Sequence, residues 1–404
     1  MDIELRACRS LDELRTGLDA IGHYFGFENS EEDAERFAHW LDLERMHVAL
    51  EAGQIVAGAG AFSFGMSVPG GGSVPAAGVT AVGVLPTHRR RGILTRMMHA
   101  QLEECRARGD LAAFLWASES PIYTRFGYGL ASRQGEAKLA RERTAFARPF
   151  TPRGAVRLVD LEEAARTFPP LYERAFAQRP GMFSRSKEWW ETRTLLDDPL
   201  RRKGAPKNLA LLELGGEPAG YAIYSVKQDW AGGSSAGVVT IRETVAPTPE
   251  ATRELWRWLF DFDWTSEFHA GLLPTDHELF LLLAEPRRLR FRIDDGVWLR
   301  LVDVEGALTA RSYNGAAGVV LEVTDALLPE NDGRYRVGAG GAERTDAAAD
   351  LALAVGDLGS VYLGGFSFGE LARAGRVEEL GEGAVQRADA LFRTAAAPWC
   401  PEIF

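Results

Sequence analysis

The run Val82-Gly83-Val84-Leu85-Pro86-Thr87-His88-Arg89-Arg90-Arg91-Gly92-Ile93-Leu94-Thr95 carries the strongest chemical signal in the 404-residue chain. A β-rich stretch, GVTAVGVLP, stops at Pro86 and turns directly into a helical pattern with Leu94, Met97, Met98, Leu102 and Cys105 on one face. The first N–H groups of such a helix have no intrahelical partner. With the positive end of the helix dipole and several arginines beside them, they suit a pyrophosphate. Gly92 lets a diphosphate approach the backbone with no Cβ in the way. The bland alternative is a β–α connection with a solvated basic face, and the agreement of strand, stop, loop and helix outweighs it.

The elements that must hold this turn are legible on both sides of it. Leu11, Leu14, Leu18 and Ile21 recur at helical spacing, as do Ala34, Phe37 and Leu41. A strand from Met46 to Leu50 turns at Ala52-Gly53-Gln54 into a partner starting at Ile55, a hairpin signal. Gly109 stops the helix after the arginines, and the strand LAAFLWAS follows. These elements make a mixed α/β domain over residues 1–150. A second domain, 151–286, has a Trp-rich helix around Glu188 to Leu195 and the hairpin LALLELGGEPAGYAIYSV, turning at Gly215-Gly216. It then repeats the earlier layout: Val239-Thr240 with Pro247 echoes Val79-Thr80 with Pro86, without the arginines and glycine that follow. This reads as a degenerate internal duplication that lacks the phosphate site. From about Arg287 short strands (VWLRLVDV, GVVLEVTD, GRYRVGAG) and a helical segment, VEELGEGAVQRADALFRT, suggest a separate α+β domain, 287–404. Its end, APWCPEIF, is too apolar to float freely.

Composition narrows the class. A net charge of −11 opposes general nucleic-acid binding, which needs a basic field, and weakly favours a cationic small substrate. Cys8, Cys105 and Cys400 fit neither a disulfide framework nor a zinc site, so a reducing compartment is the simplest reading. The N-terminus lacks a signal-peptide core, and no stretch approaches the roughly 20 apolar residues of a membrane span. These features predict a cytoplasmic protein without membrane attachment.

The turn resembles the central motif of the GNAT acetyltransferases: Arg89 and Gly92 fit it, and Leu94 departs at the last position. That departure, together with Ala117-Ser118-Glu119, Ile122-Tyr123-Thr124-Arg125-Phe126-Gly127-Tyr128-Gly129 and the terminal Phe404, is similar to the enhanced intracellular survival (Eis) family over the whole chain. The resemblance implies an active GNAT domain, a degenerate GNAT-like domain that binds no CoA, and a sterol-carrier-like domain. It implies a hexamer that acetylates amines, aminoglycosides among them. Acetyl-CoA would be held by Val82, Gly83, Val84, Arg90, Arg91, Gly92, Ile93, Leu94 and Thr95, with Ser118 and Glu119 closing the site. Tyr123 would be the general acid and the α-carboxylate of Phe404 the general base.

The chemistry accommodates those roles. An amine attacking a thioester loses a proton and the departing thiolate gains one, which a phenol of ordinary pKa about 10 can supply. Tyr128 competes with Tyr123, and either residue has a packing role as its alternative. A terminal carboxylate of pKa near 3.5 is a weak base toward an ammonium. It would orient the amine or act through water; otherwise Trp399, Ile403 and Phe404 simply anchor the chain end. Asp276-His277-Glu278 lacks further metal ligands and reads as a surface turn, so no metal is expected. Gly70 to Gly72 match no phosphate loop and read as a flexible loop. Glu28, Glu31, Glu32 and Asp33 read as the charged start of a helix. The function expected is acetyl transfer from acetyl-CoA to a primary amine of a cationic small molecule by direct attack. The alternative is an apolar-ligand-binding protein with a regulatory or vestigial transferase module.

Overall fold

The computed structural model describes residues 3–198, 204–315 and 317–404. Two compact units emerge: Met1–Ser132 with Val297–Ala395 and Ile403–Phe404, and Arg133–Gly296 with Ala396–Glu402.

The first unit begins with β1 (Ile3–Ala7), α1 (Leu11–Phe25), α2 (Glu31–Ala38), β2 (Met46–Glu51), β3 (Gln54–Ser67) and β4 (Ser73–Val84). Then come α3 (Ile93–Ala107), β5 (Ala112–Trp116), α4 (Ser120–Thr124) and β6 (Gly129–Leu130). Local chemistry sets the boundaries. Ser10 caps α1, and Gly26 ends it at φ 73°. Ser30 and Asp33 form a capping box on α2, which accounts for the acidic run there. Ala52 and Gly53 both take positive φ, the backbone of a two-residue hairpin turn. Gly70 and Gly71 also have positive φ, and Val68 N–H donates to the Gly72 carbonyl at 3.0 Å. Gly70 packs directly on Ser312, with no room for a Cβ. The expected flexible loop is therefore a packed β3–β4 turn.

The second unit contains β7 (Arg133–Ala140), β8 (Gly154–Leu158), α5 (Leu161–Phe176), α6 (Lys187–Trp189), β9 (Asn208–Leu214) and β10 (Glu217–Lys227). A small hairpin, β11 (Trp230–Ala231) and β12 (Ser234–Ser235), precedes β13 (Gly237–Val245), α7 (Pro249–Leu259), β14 (Thr265–Leu273), α8 (Leu279–Leu282) and β15 (Arg292–Asp295). Its seven-stranded sheet has the order β15-β7-β14-β13-β10-β9-β8.

The chain then re-enters the first unit with β16 (Val297–Leu301), α9 (Val304–Ala310), β17 (Val319–Thr324), β18 (Gly333–Gly338), β19 (Gly341–Arg344) and β20 (Leu351–Ala354). It ends with α10 (Val355–Tyr362), α11 (Phe368–Arg373), β21 (Val377–Glu379) and α12 (Ala384–Phe392). The main sheet of this unit runs β1-β2-β3-β4-β5-β16-β6, and a five-stranded sheet runs β19-β18-β17-β20-β21. No helix among the described residues is long and apolar enough to cross a membrane.

Sheet membership corrects three expectations. VWLRL does not open the C-terminal domain: all five residues are buried and pair antiparallel with β5, Leu299 opposite Phe114. Covering β5 removes what would otherwise be an open sheet edge. Arg133–Ala140, near the end of the first sequence domain, lies inside the second sheet between β15 and β14. Within VEELGEGAVQRADALFRT, Val377–Glu379 is a strand on β20, and the helix starts only after Gly383 at φ 68°.

Arg300 of β16 is wholly buried, and one guanidinium nitrogen donates to both oxygens of Asp325, at 2.7 and 2.6 Å. Asp325 also accepts from Leu327 N, Leu328 N and Asn331 Nδ2. Removing one member of a buried, hydrogen-bonded ion pair strands the other charge in a low-dielectric core, at a cost of about 3–5 kcal/mol. Asp325→Ala is accordingly expected to lower the unfolding free energy by about that amount in urea titration. A loss below about 1 kcal/mol would mean that Arg300 finds water or another partner.

Candidate functional site

The site begins where two parallel strands part. β4 and β5 pair only at Ala76 with Ala112, Ala77 with Ala113 and Gly78 with Phe114. Beyond Gly78, β4 continues to Val84 on β3 alone, and its other edge pairs with no strand among the described residues. A bulge in β4, with Ala81 at φ 52°, shifts the register against β3 and re-aims the strand. Backbone N–H and C=O groups thus line one side of a fork, a ready template for an extended amide-bearing molecule.

A cavity of about 840 Å³ occupies this region, lined by Val82, Gly83, Val84, Arg90, Gly92, Ile93, Leu94, Thr95, Ser118, Glu119 and Tyr123. Those are eleven of the thirteen residues singled out from sequence. Arg91 and Phe404 are outside the lining.

The turn after Pro86 is longer than a direct strand-to-helix junction. A single 3₁₀ turn, Pro86–His88, precedes an irregular stretch, and α3 begins at Ile93. Gly92 is its N-cap at φ 76°, and no side chain caps the helix. The first N–H groups of α3 are left for a ligand, and a Cβ on Gly92 would meet nothing within 4 Å. Arg90 also holds positive φ, 62°, which for a residue with a Cβ costs roughly 1–2 kcal/mol. Such strain gathers at functional turns.

The arginines divide their tasks. Arg91 forms a two-pronged pair with Glu51 at the end of β2, and His88 Nε2 hydrogen-bonds the same carboxylate at 2.9 Å. The Arg91 hydrogen bond, reinforced by His88, holds the Glu51 carboxyl down at about 2. This triad staples the turn to β2. Arg89 and Arg90 are left to line the cavity.

The sequence reading missed one wall. Ile21, Tyr24 and Phe25, from the last turns of α1, line the cavity, as do His88, Ile122 and Arg125. The Tyr24 hydroxyl donates to the Val84 carbonyl at 2.6 Å, and the α1 backbone at Ile21 packs on Gly83. The available signal was a pair of aromatics, Tyr24 and Phe25, on the outer side of an amphipathic helix.

Tyr123 and Tyr128 differ in setting. Tyr123 is buried yet lines the cavity, and burial pushes its phenol up to about 12. Tyr128, 6.0 Å away ring to ring, is fully enclosed and does not line it. Ala61, Ala77, Val79, Ala113 and Leu115 point to the face covered by α3 and share a core with Tyr123. Side chains alternate along a strand, so Phe62, Phe64 and Phe114 point to the opposite face. Phe404 packs there, with ring centroids 4.8 Å from Phe114 and 5.4 Å from Phe64. A Cβ on Gly78 would come within 3.2 Å of it. Phe404 therefore sits at the crotch of the fork, on the face opposite Tyr123.

The remaining candidates resolve plainly. His277 is no surface residue: it is buried edge-on against Trp256, burial lowers its pKa to about 3, and its Nδ1 accepts from Leu279 N. No cluster of metal-ligating side chains occurs among the described residues. All three cysteines are buried, and none forms a disulfide among the described residues.

Residues 9–131 and 181–301 each match a family described as acetyltransferase (GNAT) domain, and residues 304–401 match the sterol carrier protein domain. An uncharacterized N-acetyltransferase of Streptomyces avermitilis is 39% identical over the full length of both chains. The N-acetyltransferase Eis of Mycobacterium bovis is 35% identical over 81% of this chain and 80% of its own. The crystal structure of Eis1 from Mycobacterium abscessus superposes with a TM-score of 0.87 at 36% identity, covering 99% of this chain and all of that one.

The division of the arginines has a measurable consequence. Arg90→Ala is expected to weaken acetyl-CoA binding about 10- to 100-fold in calorimetry, the loss of a charge-assisted hydrogen bond. Arg91→Ala, which removes a partly exposed staple, is expected to change it less than about fivefold. Equal losses would contradict the division.

Proposed function

The chain belongs to the Eis family of GNAT N-acetyltransferases, and from that membership we propose that it transfers the acetyl group of acetyl-CoA to a primary amine of a cationic small molecule, aminoglycosides included, by direct attack on the thioester. The observation that carries the donor assignment is the uncapped N-terminus of α3 beside a forked β4 edge. In the second domain the equivalent helix, α7, is capped by its own Thr248 and starts at Pro249, which has no N–H to offer.

In this reading the N–H groups opening α3, with Arg89, Arg90 and Gly92, hold the diphosphate, and the open edge of Val82–Val84 hydrogen-bonds the pantetheine amides. Ser118 and Glu119 close the rim. The donor supplies a thioester carbonyl as electrophile and a thiolate as leaving group.

Tyr123 serves the leaving group. A phenol raised to about 12 stays protonated across the working range, so it is always a donor. Against a thiol of ordinary pKa near 8.5, full transfer of its proton is uphill by roughly 5 kcal/mol. The phenol therefore acts mainly by hydrogen-bonding the sulfur as negative charge develops. The phenol proton reaches the sulfur late and is restored from solvent, while the attacking amine releases its own. The acceptor enters from the face of Phe62, Phe64 and Phe114. There the α-carboxylate of Phe404 orients the ammonium and, through water, receives the proton lost by its minor neutral form. Approach of amine and acid from opposite faces of the sheet keeps the nucleophile and the leaving group apart.

The alternative of an apolar-ligand carrier finds little support in the C-terminal domain. All eight residues of α10 are buried, and the cavity beside Gly364–Ser367, Asp389 and Thr394 holds only about 280 Å³. Assembly as a hexamer belongs to the family reading, and light scattering of the full chain checks it.

Release of CoA thiol, measured with aminoglycosides, polyamines and lysine peptides, identifies the acceptor; dependence on the cationic small molecules alone is expected. Tyr123→Phe is expected to lower kcat by about 100-fold or more with acetyl-CoA affinity unchanged. Because the donor form of Tyr123 is lost only as pH rises through about 12, kcat should show no downturn below pH about 10. A wild-type downturn centred below that pH and absent in Tyr123→Phe would assign that ionisation to Tyr123 and contradict the raised phenol; an unchanged kcat in Tyr123→Phe would remove Tyr123 from the acid role. Extending the chain past Phe404 should abolish turnover, and a fully active extension would remove the carboxylate.

A further inference from the structure

The second domain has a fork of its own. β13 and β14 run parallel and pair from Gly237 with Thr265 to Ile241 with Ala270, then part. β14 bulges at the parting: its pairing with β7 jumps from Ala270 to Leu273, and Leu272 holds φ 51°. The Leu272 carbonyl is occupied by the indole N–H of Trp399. The tail of the chain thus enters the gap between the parted strands, where a cavity of about 280 Å³ remains between it and Ile241–Val245 of β13.

The tail is held at three points. Upstream, Asp276 accepts from Ala397 N at 2.9 Å, and Arg179 donates to both Asp276 and the Ala397 carbonyl. In the middle, Trp399 joins a core with Phe168, Leu171, Tyr172 and Tyr221, and its backbone N–H donates to the Pro180 carbonyl at 2.9 Å. Downstream, Glu402 accepts from Trp189 Nε1 at 3.1 Å and Thr194 Oγ1 at 3.0 Å, and pairs with Arg185 at 3.0 Å. The Arg185 side chain is wholly buried and also grips Glu243 through two nitrogens. A buried guanidinium shared by two carboxylates is expensive to assemble, and stranding it is more so. It is a built site for the Glu402 carboxylate, not a chance surface contact.

We propose that the fork of the second domain is an intramolecular peptide site, which binds the Ala396–Glu402 segment by its indole and its carboxylate and thereby presets the chain end. The consequence for turnover rests on the assignment of the Phe404 carboxylate made above. Trp399, Glu402 and Arg185 are positioning residues that act through the two residues following Glu402. A domain that has lost its donor site keeps a use for the gap between its strands.

The test uses the full-length chain and two independent readouts, removal of the C-terminal residues by a carboxypeptidase and steady-state kinetics. The wild-type tail is expected to resist trimming. Trp399→Ala and Glu402→Gln are each expected to be trimmed at least about 10-fold faster. Each should lose at least about 10-fold in kcat while the KM for acetyl-CoA stays within about twofold. Thermal stabilisation by acetyl-CoA reports that the donor site is intact in each variant. Glu402→Gln, nearly equal in volume, carries the test if Trp399→Ala does not fold. Wild-type resistance to trimming in Glu402→Gln would overturn the dock. Faster trimming with unchanged kcat would keep the dock and overturn the role of Phe404.

Discussion

Parallel strands that pair over a few residues and then part leave backbone donors and acceptors that must find other partners, since such groups are costly to bury alone. That constraint shapes both sheets. In the first unit, the free edge of β4 faces a cavity of about 840 Å³, and at its end Tyr24 donates to the Val84 carbonyl. In the second, the free edge of β14 is served by Trp399. The helix that follows each fork behaves in step with it. α3 has an uncapped glycine start, whereas Thr248 caps α7 with its own hydroxyl. An open edge and open helix N–H groups leave room for a ligand; in the second unit the chain's own tail takes an edge carbonyl and the helix is capped.

Close helix packing against the first fork depends on an unusual strand composition. Ala49, Ala57, Ala59, Ala61, Ala77 and Ala113 are all buried on the face under α3. Alanine is a poor strand former in isolation, but it lets Ile93, Met97, Met98 and Leu102 settle directly on the sheet. The opposite face is built of large aromatics, Phe62, Phe64 and Phe114, around Phe404. One pleated sheet therefore presents a thin, tightly covered side and an aromatic-walled side, separated by the thickness of the fork.

Buried charge specifies the geometry that apolar packing leaves undetermined. Arg300 with Asp325, Arg45 with Asp110 and Arg185 with Glu243 are paired within low-dielectric interiors. Pairs of this kind add little net stability over apolar replacements, but they penalise any arrangement in which the partners miss each other. The Asp325 loop illustrates this. Its carboxylate holds Arg300, and the same loop contributes Leu327 and Leu328 to the core that contains Tyr123.

The amino-acid sequence alone determined what depends on neighbours in the chain. The hairpin at Ala52-Gly53, the helix stop at Gly109, the capped acidic start of α2 and the arginine turn before α3 each rest on turn chemistry or capping within a few residues. The duplication of a strand, a proline and a helix was legible for the same reason. Tertiary structure decided what depends on pairing over long stretches of chain. It assigned VWLRL to the first sheet and Arg133–Ala140 to the second, because an edge strand takes whichever partner covers it. It drew Arg91 toward Glu51 and left Arg89 and Arg90 to the cavity, a choice no run of identical residues can encode. It separated Tyr123 from Tyr128 by burial, turned His277 inward, and seated Trp399 and Phe404. Those outcomes follow from which surfaces exclude water, and that is settled only when distant segments have met.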